Sequence, residues 1–220
     1  MKSQVSINRL IGIARYAVAL AILASVAWQV TDRLANNLFR PTEYFAFFSI
    51  QTSIIAAVVL IWTGKTLFDG KTESRWQVIS RMTATACYLV VSIAYNALLR
   101  GSANDIRDGD YAWPVLPNEV IHVWAPLAIF LGWVFIQGPV KLKLRAALWV
   151  AVYPLAWLTF SVIRGLVTGW WPYWFIDPTG DGGVAGMLTY IAAITVFLIS
   201  LGFILILISR LNKKRLSQTN

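Results

Sequence analysis

A chain of 220 residues that is 58% hydrophobic and only 13% charged is no ordinary water-soluble domain, which would carry about twice that charge. Its mean hydropathy is +0.63. The net charge of +9 accompanies no nucleic-acid-binding motif, and the single cysteine, Cys87, excludes an internal disulfide and a cysteine metal cluster.

The apolar residues fall into six runs of about 20, the length needed to cross a bilayer. The first covers 10–30. Lys2 and Arg9 precede it, and Ser25-Val26-Ala27 loosely resembles a signal-peptidase site. The apolar part nevertheless extends from Leu10 to Val30 and contains Arg15, which fits a retained span better than a cleaved leader. The second run, 43–63, carries Ser49, Thr52 and Ser53 on one helical face. The third, 79–99, carries Thr85, Tyr88, Ser92 and Asn96 at steps of 3, 4 and 4, with Cys87 as a packing residue. The fourth, 118–138, opens with Glu119 and His122, the chain's only histidine, ahead of Pro126. The fifth, 146–168, has Tyr153, Trp157, Ser161, Arg164 and Thr168 at steps of 4, 4, 3 and 4. The sixth, 185–209, is almost bare of polar groups.

Unbroken helices satisfy every backbone group internally, as the bilayer demands, and the alternating ten-residue segments of a barrel are missing. The expected fold is all-α: a polytopic membrane protein, 1–220, with six transmembrane helices in one bundle. Charge sets its orientation. Lys2, Arg9, Arg15, Lys65, Lys71, Arg75, Arg81, Lys141, Lys143, Arg145, Arg210, Lys213, Lys214 and Arg215 fall on the side of the termini. Arg33, Arg40, Arg100 and Arg107 fall on the other, with Asp32, Glu43, Asp105, Asp108, Asp110, Glu119, Asp177 and Asp181. The positive-inside rule therefore predicts cytoplasmic termini, as in a bacterial inner-membrane protein. Trp28, Trp62, Trp113, Trp170, Trp171 and Trp174 near span ends fit an aromatic belt. The basic face implies attraction to anionic lipid heads. The polar tail from Lys213 to Asn220 is expected to fray.

Polar groups inside spans tend to face the bundle interior. At 1.5 Å per residue, Ser49 lies about 9 Å below the outer end of its span. His122, Asn96 and Arg164 each lie about 6 Å below theirs. A hydroxyl, an imidazole, an amide and a guanidinium thus share one depth. Each has a plain structural reading too. Ser49 packs helices, His122 sits at the interface, and Arg164 snorkels outwards. Together they fit nucleophilic acyl transfer, in which neutral imidazole activates a hydroxyl. Glu119, three residues before His122, would orient the ring, and Arg164 or Asn96 would bind a carboxylate or oxyanion. No nucleophile elbow, phosphate-binding loop or metal-ligand set is present, so no cofactor or metal is expected.

The stretch Phe48-Ser49-Ile50-Gln51-Thr52-Ser53, the segment from Asn118 to Pro126, and Tyr153-Pro154 carry a resemblance, together with Ile163-Arg164-Gly165 and Gly169-Trp170-Trp171-Pro172-Tyr173. Over residues 9–210 the chain resembles the bacterial Pr-six-Pr six-span membrane proteins. These are distant relatives of the animal androgen-induced protein and the androgen-dependent TFPI-regulating protein. The animal proteins are six-span threonine hydrolases that cleave fatty acid esters of hydroxy fatty acids. The resemblance implies His122 as the histidine and Ser49 in place of the threonine, with Thr52, one turn deeper, as the alternative nucleophile. The histidine-to-proline spacing is about one residue shorter than in the animal proteins. Three functions stay open: an outer-leaflet lipid-ester hydrolase, a non-catalytic module binding a lipid or a protein partner, and a small transporter. The apolar inner halves of the fourth and sixth spans and the lack of half-repeats disfavour the last.

Overall fold

The structure is a computed structural model. It describes residues 2–101, 106–136, 140–180 and 182–218, with side chains from 6 to 211 within these ranges. Lys2, Asp105, Asp181, Lys213, Lys214 and Arg215 lie outside the described side chains.

Six helical segments are long and apolar enough to cross a membrane: Ser6–Ala35, Phe48–Phe68, Arg75–Leu99, Val115–Phe135, Leu144–Thr168 and Gly183–Leu211. No strand occurs among the described residues. The first span lies in α1 (Lys2–Ala35), and the short α2 (Pro41–Tyr44) precedes the second span, α3 (Phe48–Phe68). The third joins α4 (Arg75–Ala94) to a π-helical turn, Tyr95–Leu99. The fourth runs through α5 (Val115–Glu119), a second π turn (Val120–Trp124) and α6 (Ala125–Phe135). The fifth is a 3-10 stretch, Leu144–Ala151, continued by α7 (Val152–Thr168). The sixth lies in α8 (Gly183–Gln218).

Most span boundaries lie two to five residues from expectation, and two of these shifts bear on the sites. The second span starts at Phe48 rather than 43, because Phe47 is extended (φ −63°, ψ 132°) and separates α2 from α3. Ser49 is therefore in the first helical turn, not about 9 Å down. The third starts at Arg75 rather than 79, fixed by a capping box: Gln77 N–H donates to Ser74 Oγ (3.3 Å) and Ser74 N–H to Gln77 Oε1 (2.9 Å). Four residues earlier than expected, this start draws Arg81 into the bundle.

Small residues let the helices approach. At the α1–α3 crossing, a Cβ on Gly12 would lie 2.7 Å from Gly64 O, so only glycine fits. One core joins α1, α3, α4 and α6 around Ile22, Ala56, Tyr88 and Ile129. A second joins α4, the Leu144–Ala151 stretch and α8 around Met82, Ala147, Val150 and Leu205. Trp133 Nε1 donates to Leu205 O at 2.9 Å, tying α6 to α8. The sixth span packs on Leu144–Ala151 and diverges from α7 beyond it.

Candidate functional site

At the end of the bundle away from the termini, Pro126 governs the fourth span. It has no N–H to offer the carbonyl four residues earlier, and its ring crowds that turn. The helix widens to a π turn whose last bond runs from Ala125 N–H to Val120 O. Such insertions recur at functional sites. His122 lies in this turn and is 8% exposed. Its Nδ1 is 2.9 Å from Asn118 O, an acceptor only, so Nδ1 carries the proton. Nε2 is left as a lone-pair acceptor with no protein partner among the described residues. The Tyr95 ring stacks on the imidazole with centroids 4.3 Å apart, presented by the π turn of the third span.

Ser49 occupies the second position of α3, where first-turn N–H groups lack intrahelical partners. No side chain of the preceding loop caps them. Instead Ser49 N–H donates to Tyr173 Oη at 3.4 Å. Tyr173 comes from the segment after α7, which folds back onto the bundle. Gly169 (φ +72°) ends α7 in the left-handed conformation, and the Trp171 ring packs against Gly165, where a Cβ would come within 2.6 Å of it. Tyr173 then stacks on Phe175 (5.1 Å) and packs near Phe47 and Trp157. Burial pushes its phenol above the ordinary value, partly opposed by the Ser49 hydroxyl and the Ser49 and Phe48 N–H groups. It stays protonated at neutral pH.

Ser49, His122, Tyr95 and Tyr173 all line one cavity with an empty volume of about 870 Å³, its mouth included. Thr195 is the other hydroxyl in the wall, and the rest is apolar, including Val91, Pro154, Leu158, Ile191 and Leu198. Leu155 and Leu158 of α7 and Ile191 and Thr195 of α8 belong to the same wall. The wall is almost wholly apolar, a lining that suits an acyl chain.

The other expected site residues do not line it. Asn96 is exposed and donates to Ser92 O (2.8 Å) while accepting from Arg100 Nε (2.9 Å). The π turn that brings Tyr95 inward rotates Asn96 off the polar face. Glu119 accepts from Arg100 Nη2 (2.8 Å) and Tyr95 Oη (3.2 Å) rather than from the imidazole. The carbonyl of Asn118 takes the orienting role expected of Glu119. Thr52 is buried deeper, its Oγ1 3.5 Å from Tyr153 Oη. Arg164 lays its guanidinium 4.3 Å from the Trp170 ring centroid, with a buried Nη1 that has no hydrogen-bond partner among the described residues. Tyr173 and Tyr95 escaped the residue-by-residue reading. The Trp-Pro-Tyr element carries the family resemblance in the sequence, but nothing there gives Tyr173 a role beside Ser49. Comparison of the chain with protein-family models, with curated proteins and with solved structures finds no match.

Proposed function

We propose that this chain is a multi-pass cell-membrane protein with both termini cytoplasmic, and that it hydrolyses a lipid ester in the outer leaflet. The observation that carries this reading is that Ser49 and His122 line one largely apolar cavity, with Nε2 of His122 left as the basic nitrogen. The charge asymmetry between the two faces and the resemblance to six-span threonine hydrolases support it. In the proposed reaction the Ser49 proton passes to Nε2 as Oγ bonds the ester carbonyl carbon. The carbonyl oxygen becomes an oxyanion, accepting from Ser49 N–H and the protonated Tyr173 phenol, which already meet at this helix start. The imidazolium returns its proton to the leaving alkoxide as the ester C–O bond breaks. Water, deprotonated by Nε2, then releases the fatty acid and restores Ser49.

Purified protein in neutral detergent should turn over a fluorogenic long-chain fatty ester. Ser49→Ala should abolish this, and His122→Ala should lower it by about 10²–10⁴-fold. Thr52→Ala should leave it within about threefold. Activity that survives Ser49→Ala removes the assignment. One observation favours a second reading, in which the cavity holds a lipid without cleaving it: Ser49 and His122 share no hydrogen bond, and no carboxylate orients the ring. Lipid retained stoichiometrically through purification with no turnover of any ester would establish that reading instead.

A further inference from the structure

A second cavity lies at the opposite end of the bundle, between the first four spans, with an empty volume of about 570 Å³, its mouth included. Two guanidiniums line it, those of Arg15 and Arg81, which are 6% and 7% exposed. The sequence counts both among the orienting charges on the side of the termini. The structure turns both into the protein. Glu73, whose side chain is 2% exposed, is not part of the wall; it sits between the arginines. Arg15 Nη1 donates to its Oε1 at 2.8 Å and Nη2 reaches Oε2 at 3.5 Å. Arg81 Nε lies 2.9 Å from Oε1 but does not aim its N–H there, and it is buried without a hydrogen-bond partner. The Arg81 guanidinium is also 5.4 Å from the Trp133 ring centroid.

Two cations share one carboxylate, so one positive charge is uncompensated inside a membrane-embedded wall, a costly arrangement unless an anion completes it. Apart from Thr85, whose hydroxyl donates to Arg81 O at 2.8 Å, the remaining wall is mainly apolar, with Ile11, Ala14 and Val18 from α1 and Ala128, Ile129 and Gly132 from α6. A Cβ built on Gly132 would meet nothing within 4 Å, so the space beside the α6 backbone is empty. Arg81 is six residues from the end of its span, about 9 Å, a depth within reach of a lipid head whose chain continues inward. A planar guanidinium fork pairs well with phosphate or carboxylate oxygens.

We infer that this cavity binds an anionic amphiphile, its phosphate or carboxylate head on Arg81 and Arg15 and its acyl chain along Val18, Ile129 and Gly132. The site is independent of the Ser49 cavity and does not rest on its catalytic reading.

The test measures binding to the purified full chain in neutral detergent, by thermal shift and native mass spectrometry. The probes are dioleoylphosphatidylglycerol, oleate, dioleoylphosphatidylcholine and inorganic phosphate. At least one of the first two should bind one-to-one and raise the melting temperature, and which of them does identifies the head. The zwitterionic lipid and inorganic phosphate should bind at least about tenfold more weakly. Gly132→Leu fills the cavity and leaves every charge in place. It should lose about tenfold or more in affinity while melting like the wild type without ligand. Arg81→Gln, which leaves a neutral Arg15–Glu73 pair, should lose the preference for anionic over zwitterionic lipid and serves if Gly132→Leu does not fold. Equal binding of the zwitterionic lipid, inorganic phosphate binding as tightly as the lipids, or unchanged affinity in both variants would overturn the inference.

Discussion

Replacing Glu73 by Gln removes the carboxylate that holds Arg15 and Arg81 together. The contacts are 2.8 Å and 2.9 Å, between side chains that are 6%, 7% and 2% exposed. A unit pair about 4 Å apart at an effective dielectric near 20 is worth about 4 kcal/mol, so two such pairs give about 8 kcal/mol gross. Sparing the carboxylate its desolvation returns several kcal/mol. The two guanidiniums left behind are then buried without a counter-charge, the situation in which losing one partner costs about 3–5 kcal/mol. At about 2–4 °C per kcal/mol for a chain of this size, the melting temperature should fall by about 6–20 °C. The assay is the intrinsic fluorescence of the 11 tryptophans during heating in detergent without added lipid. Asp69→Asn breaks the exposed Lys65–Asp69 pair (3.1 Å) as a control and should leave the curve unchanged. A drop below about 2 °C in Glu73→Gln would mean that the cluster is hydrated and that the reasoning from burial fails.

Gly12→Ala should destabilise the α1–α3 crossing by about 1–3 kcal/mol, because its Cβ would press on a backbone carbonyl that cannot swing away. An unchanged melting curve would contradict it. Tyr44, outside the spans, is pushed up to about 12 by burial, and its hydroxyl donates to Gln29 Oε1 at 2.9 Å. Folding therefore favours the neutral phenol. Its contribution is complete below pH 10 and fades as pH rises toward 12, by on the order of 2–3 kcal/mol. The stability gap between wild type and Tyr44→Phe should shrink over that window, and a constant gap would refute the assignment. Trp157→Phe should cost about 1–3 kcal/mol in the same melting assay by orphaning Ala46 O, which accepts from the indole at 2.9 Å.

The six spans were legible because lipid demands long apolar runs with internal backbone bonds, and each expected run overlaps an observed helix. Depth arithmetic also placed His122 and Ser49 at one end of the bundle, and they share a cavity there. Depth says nothing about which way a side chain faces. Steps of 3 and 4 assume an unbroken α-helix, and the two π turns break that assumption where the site is built. They turn Tyr95 in and Asn96 out. The fifth-span stripe held at Trp157 and Ser161, both buried, yet Arg164 ended against Trp170 because the returning segment beyond Gly169 covers that face. The pairing of Arg15 and Arg81 with Glu73 was hidden for a related reason. Charge counting assigns basic residues near a span end to the headgroups, and only packing shows that these three meet inside.

The central claim is that Ser49 is a nucleophile activated by His122. Its most direct measurement is the intact mass of the purified protein after treatment with a long-chain alkyl fluorophosphonate, followed by peptide mapping of the adduct. The account predicts a single adduct on the Ser49 hydroxyl, absent in Ser49→Ala and slowed by about 10²–10⁴-fold in His122→Ala. Labelling on Thr52, labelling indifferent to His122, or no adduct at all would contradict it.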